Sequence, residues 1–530
     1  MPSTFQVLIA DPIHEDGRKL LAAHPDIHVD IATDLDEGGL IAKIAAYDAL
    51  IVRSKSRVTR SIIEMGRALK AIGRAGIGVD NIDVAAATEH GIVVFNTPDA
   101  NATTTAELTI AHMMSLSRHL PQADRSVRSG EWQPTRFVGT ELAGKTVGII
   151  GFGTIGRLVA ERCAALKMKV LAYDPYVTSE MMQQYSASQR NLESLLADSD
   201  YVTLHCPLTD KTHNLIDAAR LSEMKSGARL INCARGGLVD ENALLNALQM
   251  GHIAGAALDV FAKEPPFGSE LIARDNVVLT PHLGASTKEA QQAVSIQIAE
   301  DITKFLTTGE AESAVNLPRV SSEQFSQSRP YQTLALALGR LAGALTEAPV
   351  SELVVRLFGR IADLDPRPIT VEAVIGLLET RLSDRINRVN ATHLAAAQGI
   401  EVRETRSQHA RDYLSLIEIC VVSPNKSTTV AGTLLGGRLP HLVRIDDYHV
   451  EATLGGNFLF TRHSDQPGVV GTLGGILGRE NINISRMNVG VNGMADTAIA
   501  LIGVSAPLSD NAIAEIRALP AIFEVVEISL

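Results

Sequence analysis

The stretch Lys145–Asp174, KTVGIIGFGTIGRLVAERCAALKMKVLAYD, decides how this chain folds. TVGII is a short β-branched apolar run, Gly151, Gly153 and Gly156 form G-x-G-x-x-G, RLVAERCAALK has helical apolar spacing, and KVLAYD is a second strand ending in an acid. Strand, glycine turn, helix and strand in this order form a dinucleotide-binding unit. The first glycine permits the tight turn, the second lets a pyrophosphate approach the backbone, the third lets helix pack on strand, and the helix N-terminus offers N–H groups to the phosphates. Asp174, eighteen residues after Gly156, is placed to accept hydrogen bonds from an adenosine ribose. Pro175 follows it rather than an arginine, which favours NAD over NADP.

Around this unit the chain has 530 residues, too many for one core and enough for three or four domains. A formal charge of −12 argues against nucleic acid or an anionic membrane as the main partner, so any anion site must be built locally. Cys163, Cys206, Cys233 and Cys420 are scattered without a C-x-x-C pair, which suits a reducing cytosol and gives no metal site. The start, MPSTFQVLIAD, enters a strand without a signal core, and no apolar run reaches membrane-span length, so a cytoplasmic protein is expected.

Before the glycine unit, strand-like runs (VLIAD, IHVDIA, ALIVRS, AIGRAG, IVVFNTP) alternate with helical stretches (EDGRKLLAAH, GGLIAKIAAY, SIIEMGRALK), which implies a parallel sheet covered on both faces. Asn101 to Leu120 reads as a helix crossing between domains. From Lys145 to His282, six strands are expected: TVGII, KVLAYD, YVTLHCP, RLINCARGG, AGAALDV and VVLTPHLG. STKEAQQAVSIQIAEDITKFLTTG then reads as a helix that returns the chain to the first domain. Residues 313–330, rich in Ser, Gln and Pro, read as a linker. An α+β segment follows, with HLVRIDDYHVEATL as one of its strand-like pieces, and the last stretch reads βαββαβ, the ferredoxin-like order. The expected fold is α/β: a Rossmann-type cofactor domain (101–287) inserted in a flavodoxin-like substrate domain (1–100 and 288–315), both doubly wound parallel sheets, then an α+β domain (316–452) and a ferredoxin-like domain (453–530).

Ligands of open α/β sheets bind outside the carboxyl ends of the strands, which gives weight to Asp174, Cys206 with Pro207, Arg235, Asp259 and His282. A guanidinium at Arg235, in ARGGLVD, can grip a planar carboxylate and steady a carbonyl oxygen. Histidine titrates near neutrality, so His282 can take a hydroxyl proton as a hydride leaves. Glu264, in AKEPP, is the available carboxylate to orient its ring. Each has a plainer reading: a surface ion pair, a charge in a Pro-rich turn, a capped loop histidine. In the first domain, Arg53, Ser54 and Arg74 follow strands beside Gly76 and Gly78, whose free N–H groups can face an anion, although a solvated basic turn has the same composition.

Through GFGTIG, HCPLT, CARGGLVD, ALDVF, KEPP and PHLGAST in order, residues 1–315 resemble the D-isomer-specific 2-hydroxyacid dehydrogenases. The resemblance implies Arg235 for the substrate carboxylate and carbonyl, Glu264 as partner of His282, and His282 as acid/base. It implies NAD contacts from Thr154, Ile155, Asp174, Cys206, Pro207, Cys233, Ala234, Arg235, Asp259, His282 and Gly284. The substrate end is similar to that of the 3-phosphoglycerate-oxidising branch, which implies Arg53 and Arg74 on the phosphate, Asn101 as a substrate contact, and Arg136 as a charge lent by a neighbouring subunit. The implied reaction is NAD-dependent oxidation of 3-phospho-D-glycerate to 3-phosphohydroxypyruvate, the entry to serine synthesis. A dehydrogenase of another D-2-hydroxy acid such as glycerate, and an NAD-sensing corepressor-like protein, remain open readings.

HSDQPGVVGTLGGILGRENINIS resembles an ACT domain. That implies a serine effector bound across a subunit interface, with His463, Asp465 and Asn483 as carried-over residues. The plainer reading makes Asp465 only a cap for a helix beginning near Pro467. Residues 331–452 resemble the intervening domain of long-form enzymes of this branch, with Arg438 and Arg444 as candidate anion contacts. A homo-oligomer, dimer or tetramer, is expected.

Overall fold

A computed structural model describes residues 4–98, 100–318, 322–383, 385–409, 412–492 and 496–530. Four sheets follow one another. The first holds β1 (Phe5–Ile9), β2 (Ile27–Ile31), β3 (Ala49–Val52), β4 (Ala71–Arg74) and β5 (Val93–Phe95), all parallel, in the order β2-β1-β3-β4-β5. This is the flavodoxin order. β3 is buried along its whole length because helices cover both faces. One of those covers is Lys288–Thr308, whose Val294, Ile298 and Ile302 pack with Val7, Ile9 and Ile51, so the chain does return to its first sheet. Ala314 bridges Phe95, and Asn316 Oδ1 accepts from Val94 N at 2.9 Å, so the returning chain also covers the β5 edge. The helix read in SIIEMGRALK is shorter than expected: it ends at Met65, where Gly66 N donates back to the carbonyls of Ile62 and Ile63.

The second sheet holds β6 (Thr146–Ile150), β7 (Lys169–Tyr173), β8 (Ala187–Gln189), β9 (Tyr201–Leu204), β10 (Ala228–Asn232), β11 (Ile253–Leu258) and β12 (Val277–Leu279). Its order, β12-β11-β10-β9-β6-β7-β8, is the Rossmann order with one further strand. It has seven strands where six were expected. β8 is three residues of an edge strand with Ser188 and Gln189 exposed, so it carries no apolar signal. The helix Ala102–Arg118 packs on this sheet, with Met113 in its core.

The expected linker at 313–330 is a linker only in part; residues 319–321 lie outside the described residues. A helix, Ser322–Ala344, starts within it and passes through Pro330. Tertiary contact outweighs composition there: Arg388 Nη2 donates to Gln332 Oε1 at 3.0 Å, and the Arg388 guanidinium lies 5.3 Å over the Phe325 ring. The helix covers the third sheet, formed by β13 (Glu352–Gly359), β14 (Glu401–Ser407), β15 (Ser415–Ser423), β16 (Lys426–Leu435), β17 (Leu439–Ile445) and β18 (Tyr448–Thr453) in the order β14-β13-β15-β16-β17-β18. HLVRIDDYHVEATL is a hairpin, β17 and β18, rather than one strand; it turns at Asp446, which takes φ +48°.

The fourth sheet holds β19 (Asn457–Ser464), β20 (Ile484–Asn492), β21 (Thr497–Val504) and β22 (Ile522–Ser529), antiparallel in the order β20-β21-β19-β22. The two helices between its strands give the expected βαββαβ. Its Phe458, Phe460 and Leu501 share one core with Leu338 and Ile419 of the preceding unit.

Candidate active site

A cleft of about 560 Å³ lies between the carboxyl ends of the first two sheets, a volume typical of a small-ligand site. From the first sheet's side come Arg53, Ser54, Arg74 and Gly78, and from the crossing helix Asn101. Ile155, Cys206, Pro207, Cys233, Ala234, Arg235, Asp259, Glu264, His282 and Gly284 come from the second. Strand ends explain this convergence: Arg74 closes β4, and Arg53, Cys206, Cys233, Arg235, Asp259 and His282 follow within three residues of parallel strands, where the backbone leaves the sheet.

The glycine turn borders the cleft. Gly151 has φ +94°, and a Cβ there would stand 2.6 Å from Cys206 N. A Cβ on Gly156 would stand 2.2 Å from Gly151 O, whereas one on Gly153 would meet nothing within 4 Å. Gly153 is also the N-cap of the helix Thr154–Ala165 and brings no side chain to that helix end. The turn is tight where glycine is needed for backbone packing and open where a pyrophosphate would approach, so it fits NAD. Asp174 lies outside the cleft lining: its carboxylate accepts from Phe152 N at 2.7 Å and Tyr176 N at 2.9 Å, which ties it to the turn and leaves each oxygen a lone pair for a ribose hydroxyl.

His282 has φ +55°, a left-handed conformation uncommon for a non-glycine residue. Asp259, fully buried, holds it there: the carboxylate accepts from Thr280 Oγ1 (2.5 Å), Leu283 N (2.7 Å) and Gly284 N (2.8 Å), and Asp259 O accepts from His282 N (2.9 Å). His282 Nδ1 is 2.8 Å from Glu264 Oε2, and Glu264 Oε1 accepts from Phe261 N at 3.1 Å. An ionised carboxylate only accepts, so Nδ1 carries the proton and Nε2 is left with a lone pair.

Three guanidiniums gather at the other end. Burial, with Arg235 and Arg53 adding like charge, pushes Arg74 down to about 10, and its Nε has no protein partner among the described residues. Such a group is stabilised by an arriving anion. Arg235 donates from Nη1 to Ala234 O (2.7 Å) and from Nε to Asp80 Oδ2 (3.0 Å), so the surface-ion-pair reading is realised in part while the side chain still lines the cleft.

The expectation of a free glycine N–H group is corrected at Gly76. Gly76 N donates to Arg74 O at 2.8 Å, and Gly76 does not line the cleft. Its role is steric: φ is +152°, and a Cβ would stand 1.6 Å from Arg74 Nη1. The basic turn itself is anchored by residues that sequence reasoning missed. Fully buried Asp11 accepts from Arg53 N (2.6 Å), Ser56 N (3.1 Å) and Ser56 Oγ (2.7 Å), and Asn81 Nδ2 donates to Arg53 O (2.7 Å). The acid closing VLIAD was the available signal for Asp11.

Asn101 is buried with its Oδ1 unpartnered among the described residues, a polar atom awaiting a ligand donor. Burial pushes the Cys206 thiol up to about 11 and Cys233 up to about 12, so both contribute contact and not thiolate chemistry. His205, also missed although HCPLT contains it, is pushed by burial down to about 3 and lines the cleft as a neutral ring beside Thr203 Oγ1 at 2.9 Å.

Other candidates lie elsewhere. His463 is buried on β19 and Asp465 is exposed just beyond it. Asn483 precedes β20, whose Ile484 pairs with Val504, the partner of Asn457. It therefore sits at the opposite end of the sheet, roughly 20 Å away at strand rise. The three do not meet within one subunit. The helix after Asp465 starts at Val469 with Gly468 as its cap (φ +97°), so Asp465 does not cap it either. Arg444 pairs with Glu418, which also holds Arg356 at 2.5 Å, and Arg462 there pairs with Asp446. Those arginines are engaged by internal carboxylates, while Arg444 Nε has no partner among the described residues. Arg438 lies in the exposed turn between β16 and β17. Arg136 sits 5.7 Å from the Phe137 ring, away from this chain's cleft. Among the described residues there is no cluster of three or more His, Cys, Asp or Glu able to hold a metal, and no helix is long and apolar enough to cross a membrane.

Comparison with known proteins agrees with this geometry. Residues 110–284 match the D-isomer specific 2-hydroxyacid dehydrogenase, NAD binding domain, and residues 327–446 match the D-3-phosphoglycerate dehydrogenase intervening domain. A D-3-phosphoglycerate dehydrogenase of Synechocystis sp. is 41% identical across 99% of this chain and 95% of its own length. One of Archaeoglobus fulgidus is 40% identical across 99% of this chain and all of its own. Among solved structures, a D-lactate dehydrogenase from Aquifex aeolicus complexed with NAD and lactic acid (28% identity, TM-score 0.53) covers 59% of this chain and 99% of its own. A glyoxylate reductase from Paecilomyes thermophila (29% identity, TM-score 0.56) covers the same shares. With near-complete coverage at this identity, and an NAD-binding turn beside an Arg, Glu and His set, the chain belongs to the D-3-phosphoglycerate dehydrogenase family.

Proposed function

We propose that this chain oxidises 3-phospho-D-glycerate to 3-phosphohydroxypyruvate with NAD, as its relatives' names indicate for them. The observation that carries the reading is the His282–Glu264 pair at 2.8 Å in the same cleft as Arg235, Arg53 and Arg74. Arg235 binds the carboxylate, and Arg53 and Arg74 bind the phosphate. Holding both ends orients the C2–H bond and the hydroxyl, which lowers the entropy lost on reaching the transition state. His282 Nε2 takes the hydroxyl proton while the C2–O bond becomes a carbonyl, and Glu264 stabilises the imidazolium that forms. NAD supplies the acceptor for the C2 hydride. Asn101, Cys206 and Asp259 belong to the walls that shape the cleft.

The oxidised product is the entry compound for serine synthesis, which makes serine the natural effector to test on the tail domain. Because His463 and Asp465 stand at one end of the fourth sheet and Asn483 at the other, a serine site using all three needs two copies of the chain. The oligomer reading draws on the segment in which Trp132, Val127 and Val138 are all exposed, Trp132 at 83%, a surface a second copy would cover and which also carries Arg136. We divide the chain at 1–100 with 288–315, 101–287, 316–452 and 453–530, following the sheets. The test is replacement of His282 by Asn. Proton transfer of this kind contributes about 10²–10⁴-fold, so NADH consumption with phosphohydroxypyruvate should fall by that range. Turnover within threefold of wild type removes His282 from the mechanism.

A further inference from the structure

Asp80 has no part in the reaction described so far, yet its carboxylate comes from the facing domain to touch Arg235 in the cleft. It lies in the loop beyond the carboxyl end of β4 in the first sheet, and its Oδ2 accepts from Arg235 Nε at 3.0 Å, from the loop after β10 in the second. The pair therefore spans the cleft. Arg235 is 27% exposed and Asp80 62%. With Nε held by Asp80 and one Nη1 hydrogen by Ala234 O at 2.7 Å, the donors left are those on the Nη edge. Nη2 lies close against Gly78, where a Cβ would stand 2.1 Å from it, so the guanidinium packs on that loop where only glycine fits. The next residue, Asn81, donates from Nδ2 to Arg53 O (2.7 Å) and Ser56 O (2.6 Å). One short segment thus contacts the arginine for each end of the substrate.

We propose that Asp80 is a positioning residue for the substrate carboxylate: it pins the Nε edge of Arg235 from the opposite domain, so that the two-nitrogen edge faces the cleft when the domains are closed. This rests on the carboxylate role given to Arg235 above. A guanidinium offers a carboxylate two parallel donors only when its plane and edge are fixed. Asp80 supplies that fixing, and because it spans the domains it does so in the closed cleft alone. The cofactor turn is built wholly from the second domain, so the effect should fall on the hydroxy or keto acid and not on NADH.

The experiment compares Asp80→Ala, Arg235→Lys and the double variant, reading KM for phosphohydroxypyruvate, kcat, and NADH affinity by fluorescence titration. Asp80→Ala should raise KM about tenfold, with kcat changed less than about threefold and NADH affinity within about twofold, the size expected for losing a hydrogen bond to a charged group. Asp80→Asn, which keeps an acceptor oxygen, should fall between. Lysine has no Nε edge to pin, so in the Arg235→Lys background Asp80→Ala should add less than about twofold, the mark of one coupled unit. An unchanged KM in Asp80→Ala with a raised KM in Arg235→Lys overturns the inference and leaves the carboxylate subsite standing. So does a full tenfold effect in the Arg235→Lys background, or parallel loss of NADH affinity, which would make Asp80 a general structural residue. An unchanged KM in Arg235→Lys overturns the carboxylate subsite, and this inference with it.

Discussion

Replacing Asp259 by Asn changes two heavy atoms' chemistry and almost no volume, and its effect can be worked from three contacts. The carboxylate accepts from Thr280 Oγ1, Leu283 N and Gly284 N, all within 2.8 Å, and is fully buried. An amide has one accepting oxygen. In its better orientation that oxygen keeps Thr280 and Leu283, and the new NH₂ faces the Gly284 N–H. One buried donor is then stranded, at about 1–3 kcal/mol, and two charge-assisted bonds become neutral, at about 1 kcal/mol each. Removing a buried charge returns part of this, so roughly 2–4 kcal/mol is left to be relieved. The loop relieves it most readily by letting His282 leave its φ of +55°, which the Asp259 contacts to Leu283 and Gly284 help to hold. The loss should therefore appear in turnover: about 3 kcal/mol corresponds to more than a hundredfold in kcat. Steady-state NADH consumption, with a thermal melt of the same variant, measures both outlets. A variant with kcat within threefold and an unaltered melting temperature would refute the account of the loop.

Gly156→Ala places a Cβ 2.2 Å from Gly151 O, so the turn must open; NADH affinity should fall at least about tenfold by fluorescence titration, and an unchanged affinity would contradict the packing role. Arg74→Met keeps the stem and removes the charge, and should raise KM for phosphohydroxypyruvate about 30-fold or more, whereas an equal KM would remove Arg74 from phosphate binding. Burial pushes Asp301 up to about 6, above an unfolded value of about 3.9, so the folded state binds the extra proton between those values. Its contribution is fully present below pH 4 and is lost as pH rises through 6, by at most roughly 3 kcal/mol and less once partial solvent access is allowed for. Asp301→Asn should accordingly raise the melting temperature at pH 8 and leave it nearly unchanged at pH 4; equal shifts at both pH values would contradict the assignment.

What could be read in the sequence was local or ordered. GFGTIG names its own geometry because its three glycines answer to three contacts within one turn, and Arg235, Glu264 and His282 are marked by the strands they follow. The parts that could not be read depend on partners far along the chain. Asp11 reaches the Arg53 turn across 42 residues, and Asp80 reaches Arg235 across 155. Gly76 misled because a glycine beside an arginine suggests an open N–H, while the folded loop closes that N–H on Arg74 O. The Ser- and Gln-rich stretch read as a linker becomes helix where Arg388, 56 residues beyond Gln332, lies over Phe325 and donates to Gln332 Oε1. β8 escaped notice because an edge strand of three residues, two of them exposed and polar, gives no period.

The most direct test of the central claim is absorbance at the NADH wavelength with the purified chain, offered phosphohydroxypyruvate, pyruvate and hydroxypyruvate in turn. The gathering of Arg53 and Arg74 beside Arg235 in one cleft predicts consumption with phosphohydroxypyruvate at a kcat/KM at least about a hundredfold above the two unphosphorylated acids. Equal rates on all three, or no consumption on any, would contradict it.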